Sequence, residues 1–87
     1  MERGSVIRSV AGHDKNRFYM IVEAQGGFVW IADGKRRKLA KPKRKSLKHV
    51  AKTGSVLCLN EATSDKRLRY LLRPFNGQAG DTEKEGV

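Results

Sequence analysis

The apolar positions of the chain change their spacing partway along it. Through about residue 51 they come in short runs or alternate with polar residues, the two-residue period of strands. GSVIRSV (4–10), RFYMIVEA (17–24) and FVWIA (28–32) are rich in β-branched and aromatic residues and predict three strands. AGHDKN and QGG supply the turns between them, with Gly12 and the paired glycines free to take positive φ. Asp33-Gly34 is a further turn signal, after which RRKLA (36–40) is expected as a fourth strand. Pro42 is expected to end it or to sit at an edge, having no N–H to give a ladder. SLKHVA (46–51) then predicts a closing fifth strand, with Leu47, His49 and Ala51 on one side and Lys48 and Val50 on the other.

Past residue 52 the period changes. TGSVLCLNEA reads as a connector with apolar anchors, Cys58 among them as a small buried hydrophobe. In TSDKRLRYLLRPF the residues Leu68, Leu71, Leu72 and Phe75 fall at i, i+3, i+4 and i+7, which predicts an amphipathic helix of about ten residues. Thr63 or Ser64 is the expected N-cap, Asp65 suits the first turn, and Arg73 and Pro74 mark the stop. So short a helix needs a surface to pack on, and the barrel's open end is the expected one. Short strands about ten residues apart, joined by tight turns, predict a small β-barrel or strongly bent meander. Residues 1–76 form the domain, and the Gly-rich, polar stretch 77–87 is expected to be a disordered tail.

Composition narrows the function. With 87 residues the chain makes one small domain that buries only about 60% of its unfolded surface, leaving little room to enclose a substrate. Ser, His and Asp occur without the spacing of a nucleophilic triad, and neither a P-loop nor a dinucleotide fingerprint is present. No enzymatic activity, small-molecule substrate or cofactor is expected. Cys58 is the only cysteine, which rules out an internal disulfide or a Cys-rich zinc site and suits a reducing compartment. No run approaches the ~18 apolar residues of a membrane span, so a cytoplasmic, membrane-free protein is expected.

Charge changes the picture most. Between Lys35 and Lys52 lie ten of the nineteen cations and none of the nine acids, so the rest of the chain, nine cations against nine acids, is neutral. A solvated face is normally mixed in sign; a block of one sign points to a polyanionic partner. Alternation along KRRKLA puts Leu39 inward and turns Arg36 and Lys38 outward, and KPKRK is expected as an extended arm. His13, alone in its turn, has the setting of an exposed residue rather than a ligand. Phe18, Tyr19, Phe28 and Trp30 are expected in the core rather than as base-stacking rings, and Trp30 is the readiest exception, since Val29 and Ile31 can fill the inward positions of its strand and leave it outside.

GSVIRSVAGHDKNRFYMIV followed by FVWIADGKRRKLAKPKRKSLKHV resembles the KOW domain, in the version found in the fourteenth large-subunit ribosomal protein of archaea and eukaryotes and its short bacterial relatives. The similarity runs from about Gly4 to Val50. Its specific parts are Gly4, the AGHDK turn with Gly12, Asp14 and Lys15, and the ADGKRRKLAKPKRKSLKH block, which keeps an Asp-Gly turn, a basic-basic-apolar run, Lys-Pro and Lys-His in family order. Asn16 stands where the family usually has Gly; Asn tolerates positive φ, so the turn is expected to survive.

The resemblance implies a mainly β fold, an SH3-like five-stranded barrel of KOW type with a short C-terminal α-helix, that binds RNA without catalysis. The implied partner is ribosomal RNA of the large subunit, in a ribosomal or ribosome-associated protein that could also meet ribosomal proteins in translation. The expected RNA contacts are Lys15 and Arg17 in the first turn, and Lys35, Arg36, Arg37, Lys38, Lys41, Lys43, Arg44, Lys45, Lys48 and His49 in the block. Two other readings fit the composition: an SH3-like adaptor that docks a protein on the leucine stripe, and a non-specific binder of DNA or other polyanions.

Overall fold

The computed structural model describes residues 2–80. Five strands, β1 (Ser5–Ser9), β2 (Phe18–Gln25), β3 (Phe28–Ala32), β4 (Lys43–Ser46) and β5 (Val50–Val56), precede one helix, α1 (Asp65–Gly80). Neighbouring strands are antiparallel and form one sheet in the order β4-β3-β2-β1-β5. The fold is mainly β and matches a small SH3-like barrel. The turn after β1 takes positive φ at Gly12 (88°) and at Asn16 (72°). Asn16 manages this with a short polar side chain, whose Oδ1 accepts from Arg8 Nη1 at 3.0 Å. In β2 the pairing to β3 slips between Ile21 and Glu23, and the extra residue, Val22, bends the strand as closure of a small barrel requires.

Both faces of the sheet are buried, which is why YMI in β2 is apolar in succession rather than in alternation. Tyr19 and Ile21 point inward with Ile7, Val29, Ile31 and Val50. Met20 points the other way with Val6 and Ala32, and α1 lays Leu68 and Leu72 over them, flanked by Leu71 and Phe75. The Phe18 and Phe75 rings meet at 5.6 Å. The helix therefore covers the sheet's outer face rather than the open end expected for it, because that is where the alternation of β1, β2 and β3 leaves apolar side chains without a partner.

Several element boundaries depart from expectation. RRKLA is a loop, and the fourth strand is KRKS, an end strand of the sheet that begins directly after Pro42, which takes the edge position rather than ending the strand. Residues 47–49 form a 3₁₀ turn, so Leu47 and His49 do not lie on a strand. β5 continues through Val56 and absorbs part of the expected connector, with Thr53 Oγ1 donating to Val6 O at 2.8 Å. Cys58 is exposed, not buried.

The helix starts as its cap predicts: Ser64 Oγ accepts from Arg67 N at 3.2 Å. It does not stop at Pro74. Proline leaves the Tyr70 carbonyl without its helical donor, but both residues are on the exposed side. Beyond it, Asn76 fastens the chain to Phe18 by two 2.9 Å bonds, accepting from its N–H and donating to its carbonyl. Residues 77–80, expected as tail, are thus helical, and 81–87 lie outside the described residues. Among the described residues no helix is long and apolar enough to cross a membrane.

Candidate nucleic-acid interface

The loop between β3 and β4 carries the densest charge, and its shape is set by two acids. Asp33, buried at the end of β3, accepts at Oδ1 from the backbone N–H groups of Lys35 and Arg37, both at 2.9 Å. Its own N–H and that of Gly34 donate to Arg37 O at 2.9 and 3.0 Å. Residues 33–37 therefore close on themselves around one carboxylate, the Asx arrangement that stabilises turns. Asp65, in the first turn of α1, accepts from Leu39 N at 2.8 Å, while Leu39 sits half-buried against the helix-covered cluster. A glycine is required at position 34: its φ is 79°, and a Cβ there would overlap the carbonyl oxygen of Asp65. Lys35, Arg36, Arg37, Lys38 and Lys41 are consequently presented outward, all exposed, from a loop held at both ends. They face out because the loop's few inward positions are taken by Asp33, Gly34 and Leu39, not by the strand alternation expected.

The turn between β1 and β2 stands at the same end of the sheet, since Arg8 pairs with Phe18 while Met20 pairs with Ala32. Arg17 reaches across it, its Nη2 3.8 Å from Asp33 Oδ2. Lys15 is exposed. Beneath the turn lies Asp14, buried, with Oδ1 accepting from Lys45 Nζ at 2.9 Å and from Ser9 Oγ at 2.8 Å, and Oδ2 3.7 Å from Lys43 Nζ. Burial opposes ionisation of this carboxyl, but the bonds from Lys45 and Ser9 and the charges of Lys45 and Lys43 outweigh it and hold the pKa below its ordinary 3.8. Tyr19, buried beside Asp14 and Asp33, is pushed up to about 12, chiefly by burial and then by those two carboxylates. It stays neutral at physiological pH.

Lys45 is the clear correction among the expected contacts. Only 8% of its side chain is exposed, and its ammonium also donates to Ala11 O at 2.9 Å. Its charge is neutralised inside the fold, because β4 alternates: Arg44 faces out opposite Trp30, and Lys45, opposite Val29, faces in. Lys43 is half-buried and leans on Asp14. KPKRK is therefore not an extended arm. Arg44 is exposed over the Phe28 ring, 4.7 Å from its centroid. Lys48 and His49 are exposed on the 3₁₀ turn, apart from the loop.

The helix supplies cations that the charge block alone does not select. Lys66, Arg69 and Arg73 recur at helical spacing on α1 and are exposed, and Arg69 Nη1 donates to Gly34 O at 2.8 Å. Their side of α1 is thus continuous with the loop. A signal for them exists in the sequence: cations at i, i+3 and i+7 mark a face opposite to the leucine stripe. The stripe itself is docked on the chain's own sheet. Among the described residues, no group of three or more His, Cys, Asp or Glu side chains is placed to hold a metal ion. What the geometry offers is a one-signed surface of exposed lysine and arginine on a braced loop, beside a helix face of the same sign. Neither a protein-family model nor a curated protein matches the sequence.

Proposed function

We propose that this domain is a non-catalytic RNA-binding protein of the cytoplasm, whose partner is structured RNA, with large-subunit ribosomal RNA as the specific target. The observation that carries the reading is the loop 35–41, whose five exposed cations are held by buried Asp33 and by Asp65 of α1. Solubility alone calls for no such bracing. Bracing the loop before binding reduces the entropy lost when it meets a phosphate backbone. Lysines would neutralise phosphates as point charges, while Arg36 and Arg37 can bridge two phosphate oxygens or stack on a base. Lys15 and Arg17 border this surface from the first turn, and Lys66, Arg69 and Arg73 extend it. Choice of ribosomal RNA over other RNA rests on the KOW resemblance of the sequence. The adaptor reading loses the feature that suggested it, since Leu68 and Leu72 are fully covered within the chain.

The test is ultraviolet cross-linking of the tagged protein in its own cells, with sequencing of the attached RNA, alongside the Arg36→Glu, Lys38→Glu double variant. Reads concentrated on one site of the large-subunit RNA, and absent in the variant, are expected. Reads scattered over many transcripts would leave a general RNA binder and remove the ribosomal assignment. Cross-links no stronger than an untagged control would overturn RNA binding altogether.

A further inference from the structure

The outer face of β3 is only partly covered. Ala32 lies under α1, but Trp30 and Phe28, which continue the same face, run out from beneath it: Trp30 is half-buried and Phe28 is 40% exposed. β4 beside them is an end strand of the sheet. Arg44, paired with Trp30 across the ladder, lays its guanidinium over the Phe28 ring at 4.7 Å and is itself exposed. On the other side Glu23, exposed, is the cross-strand partner of Trp30. Two aromatic rings and one planar cation thus share an uncovered face, between the loop 35–41 at one end of β4 and Lys48 after the other.

We infer that the Phe28–Trp30–Arg44 face is a stacking platform for unpaired nucleobases of an RNA whose phosphates lie along the basic loop. The inference rests on the RNA-binding reading proposed above and adds a second kind of contact to it. Bases, not phosphates, suit this face for a reason of charge. Glu23 beside Trp30 repels a phosphate but accepts a hydrogen bond from an exocyclic amino group. Arg44, exposed with its guanidinium over Phe28, is a planar cation of the kind that stacks on a base. β3 rises about 3.3 Å per residue, so Trp30 and Phe28, placed before Asp33 along the strand, lie about 10 and about 17 Å from the start of the loop by that rise, and one RNA strand can engage both. Lys48 and the loop cations, which flank the face, complement its backbone.

The experiment compares one two-strand RNA duplex, blunt or carrying a short single-stranded extension, in binding to the native protein, to Phe28→Leu and to Arg36→Glu, Lys38→Glu. Trp30 is the only tryptophan, so its emission reports the platform directly. The extension is expected to tighten native binding about tenfold and to quench Trp30. Phe28→Leu, which keeps an apolar side chain, should lose that gain and leave blunt-duplex affinity unchanged, whereas Arg36→Glu, Lys38→Glu should weaken binding to both duplexes. Equal affinity for both duplexes with Trp30 emission unaltered would overturn the platform and leave the basic loop as the whole interface. Absence of binding to either duplex would remove the RNA reading itself. Concentration-dependent dimerisation abolished by Phe28→Leu, read by sedimentation, would assign the face to a second copy of the chain and also overturn the inference.

Discussion

The loop 35–41 and the strand β4 are neighbours in sequence with almost the same composition, lysine and arginine around one proline, yet they treat charge in opposite ways. In the loop the cations face water because acids and glycine hold the backbone from beneath. In β4 the two-residue alternation turns every second side chain inward, and Lys45 must find a carboxylate inside the barrel. Asp14 provides it from thirty-one residues away. A run of like charge is therefore not one surface: its backbone conformation decides which members meet a partner and which become part of the interior.

Removing the inward cation should have the largest effect. Lys45→Ala leaves Asp14 buried and without its nearest cation, a loss on the order of 3–5 kcal/mol, to be read as a large fall in melting temperature or failure to fold. Retention of near-native stability would show that water reaches Asp14 freely. Next comes Gly34→Ala, which forces a Cβ into positive φ against the Asp65 carbonyl. A cost of about 1–3 kcal/mol is expected, with weaker RNA binding as the loop leaves the helix, both read on the same sample by thermal melting and titration.

The acid limb is a smaller effect with a definite sign. The Asp14 pKa is lowered in the folded protein, so its contribution is complete above the ordinary carboxyl value and is lost as pH falls through the depressed one. Asp14→Asn should be less stable than the native protein at neutral pH, and the gap should narrow as acid protonates Asp14; a gap constant with pH would show that the carboxylate's charge contributes nothing. Smallest in stability is Arg36→Glu with Lys38→Glu, expected within about 0.5 kcal/mol of native. Its effect belongs to binding: log affinity against log salt should become shallower by roughly 0.7–0.9 for each phosphate that is no longer neutralised. Failure of that slope to change would remove the loop from the proposed RNA-binding surface.

The legible parts of the chain are those whose signal is local. β1, β2 and β3 follow from β-branched runs between glycine turns, and the leucine stripe of α1 follows from its spacing. The outward placement of Trp30 between Val29 and Ile31 is also readable, since alternation depends only on neighbours. β4 is not, because a strand whose inward residue is a lysine has no apolar signature, and its pairing partner for charge lies in a distant turn. The run RRKLA imitates a strand through Leu39, which is in fact an anchor under the helix. Pro74 has the look of a stop because the bonds that carry the helix past it come from Phe18, again remote in sequence. In the candidate site, the exposed loop cations and Lys15 are legible from charge alone. The burial of Lys45 and the addition of Arg69 require the tertiary structure.

The fastening of Leu39 and Gly34 to α1 bears also on when the domain becomes competent. Leu39 bonds to a residue twenty-six positions later and Gly34 to one thirty-five later. At translation rates of about 5–20 residues per second, the first of these gaps takes roughly one to five seconds to synthesise. β4 and β5 are themselves made within that interval, and throughout it the nascent chain has Asp33 to shape its charged loop but not the clamp supplied by the helix. The final shape of the charged loop is thus a late event in the making of each molecule, reached only after the sheet has acquired its covering.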